Sequence, residues 1–191
     1  MSESAAAGNV SGELQSAQAI LRAAWFAADK HADQRRKGAT AEPYVNHLLE
    51  VAHLVADALT EPDTNLVIAA LLHDVVEDVG VTNREVAEIF GDDVAALVAE
   101  VTDDKSLPKA ERKRLQVVNA PKKSKRAQTI KLADKISNLR AILKSPPGGW
   151  SAERCQEYFR WAKQVVDGLS APNPKLKAEF DRTYARFGLD S

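Results

Sequence analysis

The sequence predicts an all-α fold, and three observations carry that expectation. Apolar residues recur at intervals of three and four in nearly every segment. All eight prolines (43, 62, 108, 121, 146, 147, 172, 174) fall between the helical stripes or at their starts, where a missing N–H is tolerated. No run alternates apolar and polar residues with the β-branched and aromatic enrichment of a strand.

In chain order, residues 1–12, rich in Ala, Ser and Gly, are expected to form a disordered tail, with one folded domain over 13–191. Leu14, Ala17, Ile20, Leu21, Ala24 and Trp25 make an amphipathic stripe, and Tyr44, Leu48, Val51, Leu54, Val55 and Leu59 a second. A third helix, expected over 63–79, is apolar all round at Leu66–Leu72 and should be central. Thr82-Asn-Arg-Glu85 is a capping box opening the next, which breaks at Gly91 and resumes to about Val101. Further helices are expected at about 109–119, 126–143, 151–169 and 174–187. The count is about eight to ten, in a single helical bundle.

A hydrophobic fraction of 45%, a charged fraction of 28% and a net charge of −1 describe an ordinary globular chain with no global pull toward nucleic acid. The longest apolar run, Leu66–Leu72, is far shorter than the about 20 residues a membrane span takes. The start lacks a secretory pattern, and the lone Cys155 cannot form an internal disulfide, so the cytoplasm is the expected compartment. The expected role of Cys155 is that of a small buried or half-buried apolar residue. Charge is segregated locally. Between 74 and 104 acids accumulate with Arg84 the one base, and between 105 and 131 bases accumulate with Glu111 the one acid. That division suits a site holding a cation on one side and polyphosphate on the other.

The chemistry concentrates in LLHDVVED, residues 71–78. On a helix Glu77 and Asp78 follow His73 and Asp74 by one turn, so four polar groups share one side of an apolar segment. Burying an imidazole with three mutually repelling carboxylates is costly without a cation. Two further ligand candidates are His47, in PYVNH, and Asp134, set among Ile130, Leu132, Ala133, Ile136 and Leu139. His47, His73, Asp74 and Asp134 offer two nitrogens and two oxygens without thiolate, which suits Mn²⁺ or Fe²⁺ better than structural zinc. His53, six residues from His47, turns away from that face, and His31 ends the first helix; each is expected in a structural or surface role. With no second cluster, a single ion is expected.

The order H…HD…D with HDxxED resembles the HD superfamily of metal-dependent phosphohydrolases, in its RelA/SpoT-type alarmone hydrolase branch. PYVNH resembles that branch's PYxxHP, and KLADKISNLR its LADKLxNLR. Arg35-Arg-Lys37, residues 101–117 and residues 149–169 are similar to the stand-alone small alarmone hydrolases, and the likeness covers about residues 14–187. The resemblance implies a Mn²⁺-dependent (p)ppGpp 3′-pyrophosphohydrolase in which water displaces pyrophosphate to leave GDP or GTP. It implies His47, His73, Asp74 and Asp134 as metal ligands and Glu77 and Asp78 as the catalytic pair. It implies Arg36, Lys37, Lys109, Asn138, Arg154 and Tyr158 as nucleotide contacts. NADPH 2′-phosphatase activity is the alternative within the enzyme class, and a non-hydrolysing alarmone sensor the alternative outside it. The intact ED pair argues against the sensor. Three positions depart from the pattern: Leu48 stands for proline, Val79 for threonine and Ser137 for a larger His or Tyr. The oligomeric state stays open.

Overall fold

The computed structural model describes the backbone of residues 2–188 and the side chains of residues 12–188. Among the described residues ten α-helices follow one another: α1 (Ser2–Lys30), α2 (Val45–Ala58), α3 (Thr64–Leu72), α4 (Val75–Asp78), α5 (Asn83–Phe90), α6 (Asp92–Val101), α7 (Lys109–Asn119), α8 (Lys125–Lys144), α9 (Ala152–Asp167) and α10 (Pro174–Ala185). Among the described residues there is no strand, only isolated bridges of Arg35 with Pro43 and Gly38 with Pro147. No described helix is long and apolar enough to cross a membrane.

Backbone helix begins at Ser2, in line with the helix propensity of Ala5–Ala7, and residue 1 and the side chains of residues 2–11 of the expected 1–12 tail lie outside the described residues. The expected 63–79 helix is corrected: it breaks at His73 and Asp74 and restarts as the short α4.

Helix α3 is the central rod. Every residue from Leu66 to Leu72 is buried, and α1, α2 and α6 pack around it. The second axis, α8, packs against α2, α6, α9 and α10 and buries Ile130, Leu132, Ala133, Ile136 and Leu139 completely. Each such Leu or Ile contributes about 1.5–3 kcal/mol by leaving water. Asp63 caps α3 through Leu66 N–H and receives both Nε and Nη2 of Arg126 at 2.8 Å, which ties the start of α3 to α8. The capping box forms as expected: Thr82 Oγ1 accepts from Glu85 N–H and Glu85 accepts from Thr82 N–H. Gly91, at φ 92°, separates α5 from α6.

The 31–44 loop folds back on itself through Arg36 N–H to Glu42 O and Tyr44 N–H to Gln34 O. A side chain at Gly38 would meet Ser145 O at 2.6 Å, so only glycine lets this loop seat against the end of α8. Arg36 and Lys37, carried on this loop, line the cleft described below.

Candidate active site

The break after α3 builds the site. Adjacent residues on an unbroken helix diverge by about 100°. With Asp74 out of the helix at φ −107°, ψ −3°, its Oδ2 comes within 3.1 Å of His73 Nε2. His47 reaches in from α2 and Asp134 from α8, with His47 Nε2 3.4 Å from Asp134 Oδ1 and 3.7 Å from Asp74 Oδ2. One ligand atom from each of His47, His73 and Asp134 lies within 4.8 Å of the other two. Asp74 flanks this trio and accepts a 2.6 Å hydrogen bond from the Tyr44 hydroxyl.

The cluster is suited to a divalent cation. His73 Nε2 is buried and receives no hydrogen bond, even with Asp74 so close. Its Nδ1 lies 2.8 Å from Ala70 O and donates to it in the neutral ring, leaving Nε2 as a lone pair aimed at the carboxylates. Burial lowers the basicity of His73, yet Asp74 and then Asp134 outweigh it and push its pKa up to about 9. Burial works against both carboxylates as well; the two imidazoles hold Asp74, and Lys135 with the imidazoles holds Asp134, far below the usual range. His47 is depressed by burial. Two carboxylates held ionised thus face the two imidazoles across a space suited to a cation.

The acidic pair sits beside this cluster. Glu77 Oε2 accepts from Asp103 N–H at 3.2 Å, and Oε1 lies 3.5 Å from Arg112 Nη1. Burial raises its pKa, with Asp103 and Asp74 adding to the effect. Asp78 accepts from Gln34 Nε2 at 2.8 Å through one oxygen and from Lys105 Nζ through the other.

Over the cluster opens a cleft of about 710 Å³. Arg36, Lys37, Lys109, Asn138, Arg154 and Tyr158 all line it, together with Asp78. Two lining residues touch the cluster directly, Tyr44 through Asp74 and Asn138 through a 2.6 Å bond to Asp134 Oδ1. Glu77 does not line the cleft. Burial lowers the pKa of Lys109, and Arg154, Lys37 and Arg112 lower it further, so cations crowd one wall.

Other residues at the site were missed by sequence reasoning. Lys113 and Trp150 line the cleft; Lys113 Nζ lies 4.5 Å from the Trp161 ring centre, and Arg154 stacks 4.7 Å from that of Trp150. Gln34 links Asp78 to His31, a residue only 1% exposed that stacks on Tyr44. Tyr44 carried the one available signal, a phenol within the PYVNH segment. His53 is exposed, and Cys155 is buried and free, as expected.

An all-helical domain with a buried His–His–Asp trio under a cationic cleft defines a metal-binding phosphohydrolase class. The family model described as HD domain matches residues 23–159. The guanosine-3′,5′-bis(diphosphate) 3′-pyrophosphohydrolase MESH1 of Xenopus tropicalis is 49% identical over 170 residues, covering 89% of this chain and 95% of that protein. Its Homo sapiens counterpart is also 49% identical, with the same coverage. A solved structure, described as a metazoan ortholog of SpoT that hydrolyzes ppGpp, superposes with a TM-score of 0.85 at 47% identity, covering 90% of this chain and 96% of that one. The chain belongs to the HD-domain family.

Proposed function

We propose that this chain is a Mn²⁺-dependent (p)ppGpp 3′-pyrophosphohydrolase of the cytoplasm. The observation that carries the reading is the junction of a buried nitrogen–oxygen ligand cluster with a cationic, aromatic-walled cleft of nucleotide size. The relatives named for this activity support it.

His47, His73, Asp74 and Asp134 would hold the ion, and their thiolate-free set suits Mn²⁺ or Fe²⁺ better than structural zinc. When bound, it supplies Lewis acidity that lowers the pKa of a water toward neutrality. The water's oxygen attacks the phosphorus attached to the ribose 3′ oxygen, that P–O bond breaks, and pyrophosphate departs while the 3′ oxygen takes up a proton, equivalent to the one the water gives up, to leave a 3′-hydroxyl. Glu77, with its raised pKa, is suited to accept the water's proton near neutral pH. Asp78, gripped by Gln34 and Lys105, assists while orienting that side of the site. Arg36, Lys37, Lys109 and Arg154 neutralise phosphate charge, Tyr158 offers a ring face to base or ribose, and Asn138 positions the sugar while bracing Asp134.

Turnover of ppGpp, pppGpp and NADPH, each with and without added Mn²⁺, tests the reading. Mn²⁺-dependent release of pyrophosphate with the highest kcat/KM on a guanosine substrate is expected. Preferential dephosphorylation of NADPH, or stoichiometric ppGpp binding without turnover, would overturn it.

A further inference from the structure

For His47 to act as a ligand, its Nε2 must present a lone pair, so the proton of the neutral ring must sit on Nδ1. The surroundings of Nε2 pull the other way. Asp134 Oδ1 at 3.4 Å and Asp74 Oδ2 at 3.7 Å are acceptors that would draw the proton onto Nε2. For His73 the backbone carbonyl of Ala70 settles the question. His47 has no carbonyl on its Nδ1.

Its partner is a side chain. His47 Nδ1 lies 2.8 Å from Ser137 Oγ, and Ser137 Oγ lies 2.7 Å from Glu50 Oε2. A hydroxyl has one proton to give, and an ionised carboxylate only accepts. Arg140 Nη1 donates to Glu50 Oε1 at 2.9 Å, while Arg140 Nη2 is anchored 2.6 Å from Glu179 Oε1. Ser137 therefore gives its proton to Glu50 and accepts the one on His47 Nδ1. Glu50 sits on α2 with His47, Ser137 and Arg140 sit on α8, and Glu179 sits on α10. Ser137 is fully buried, so no water competes for the hydroxyl.

We propose that Glu50 and Ser137, braced by Arg140, form a positioning relay that holds His47 in the Nδ1–H tautomer and thereby sets the affinity for the divalent ion. The inference rests on the metal-centre reading above and goes beyond it by assigning residues that touch neither metal nor substrate. It also gives a function to Ser137, one of the three positions that depart from the resembled family's pattern. Outer partners of ligating histidines typically change metal affinity by about 10- to 100-fold when removed.

The experiment compares the parent with Ser137→Ala and Glu50→Gln. Long-range ¹H–¹⁵N spectra of the metal-free proteins at pH 8 report the His47 tautomer, and chelator competition reports Mn²⁺ affinity. The parent is expected to show Nδ1–H. Ser137→Ala removes the acceptor, and Glu50→Gln can donate to Ser137 and turn its hydroxyl toward His47. Both should move the proton toward Nε2 and weaken Mn²⁺ binding about 10- to 100-fold. Variants that keep the parent's tautomer, or bind Mn²⁺ as tightly, would overturn the relay. Should Ser137→Ala fail to fold, the near-isosteric Glu50→Gln, whose parent side chain is 33% exposed, decides alone. A parent that binds no Mn²⁺ would sink the metal-centre reading, while the metal-free tautomers still judge the relay.

Discussion

The Tyr44 hydroxyl donates a 2.6 Å hydrogen bond to Oδ2 of Asp74, the same oxygen that lies 3.1 Å from His73 Nε2. Through it the cleft loop and the ligand cluster become one unit, because Tyr44 also lines the cleft and stacks on His31. A hydrogen bond to a charged group is worth about 1.5–3 kcal/mol. Tyr44→Phe keeps the stacking and loses the bond, so kcat/KM should fall by roughly 10- to 150-fold with the fold retained. Steady-state kinetics beside a thermal melt check this. Parental kcat/KM would show that the phenol does not support Asp74.

Removing a ligand should uncouple the ion from stability. The cluster draws on α2, the α3–α4 break and α8, so metal binding ties separate elements together. At 100 times its Kd a ligand stabilises a protein by about 2.7 kcal/mol. Asp134→Ala should abolish turnover and the Mn²⁺-induced rise in Tm. A variant that binds Mn²⁺ as tightly as the parent would remove Asp134 from the ligand set.

Glu77→Gln separates chemistry from binding. The substitution preserves shape and removes the proton acceptor, so Mn²⁺ binding should persist while kcat falls by about 10²–10⁴-fold. The pH dependence follows from the direction of the shift. Burial, Asp103 and Asp74 raise the Glu77 pKa, and the base works ionised. Activity should therefore be lost as pH falls through a value above the ordinary glutamate range. A kcat–pH profile whose acid limb lies at or below that range, or near-parental kcat in metal-loaded Glu77→Gln, would contradict the role.

Arg36 and Lys109 test the grip on phosphate. They approach the cleft from the 31–44 loop and from the first residue of α7. Contacts remote from the bond being cut stabilise substrate and transition state alike, so Arg36→Ala and Lys109→Ala should raise KM more than they lower kcat. Each should cost roughly 10- to 150-fold in kcat/KM. Added salt should weaken the parent more than either variant, since one screened contact is already gone. KM values that match the parent across a salt series would place both residues in solvent.

The sequence by itself determined the helical class and most element positions, and it singled out residues that the structure gathers at the cluster and the cleft. The 3.6-residue period, proline placement and the Thr82–Glu85 box are local signals, and the helices they mark formed from about Val45 to Ala185. His47, His73, Asp74 and Asp134 were legible because polar groups stand out in apolar helices, and the six nucleotide candidates because they lie in recognisable motifs. Tertiary structure alone decided how these groups meet. The break that turns Asp74 beside His73 ends a segment whose apolar pattern runs straight through it, so periodicity read it as one helix. The bonds of Ser137 to Glu50 and His47 span 87 and 90 residues, and that of Gln34 to Asp78 spans 44. Spacing along a chain encodes which face of a helix a residue occupies. Which side chains close a hydrogen bond across helices depends on how α2, α3 and α8 pack, and that is settled by the shapes of all the buried residues at once.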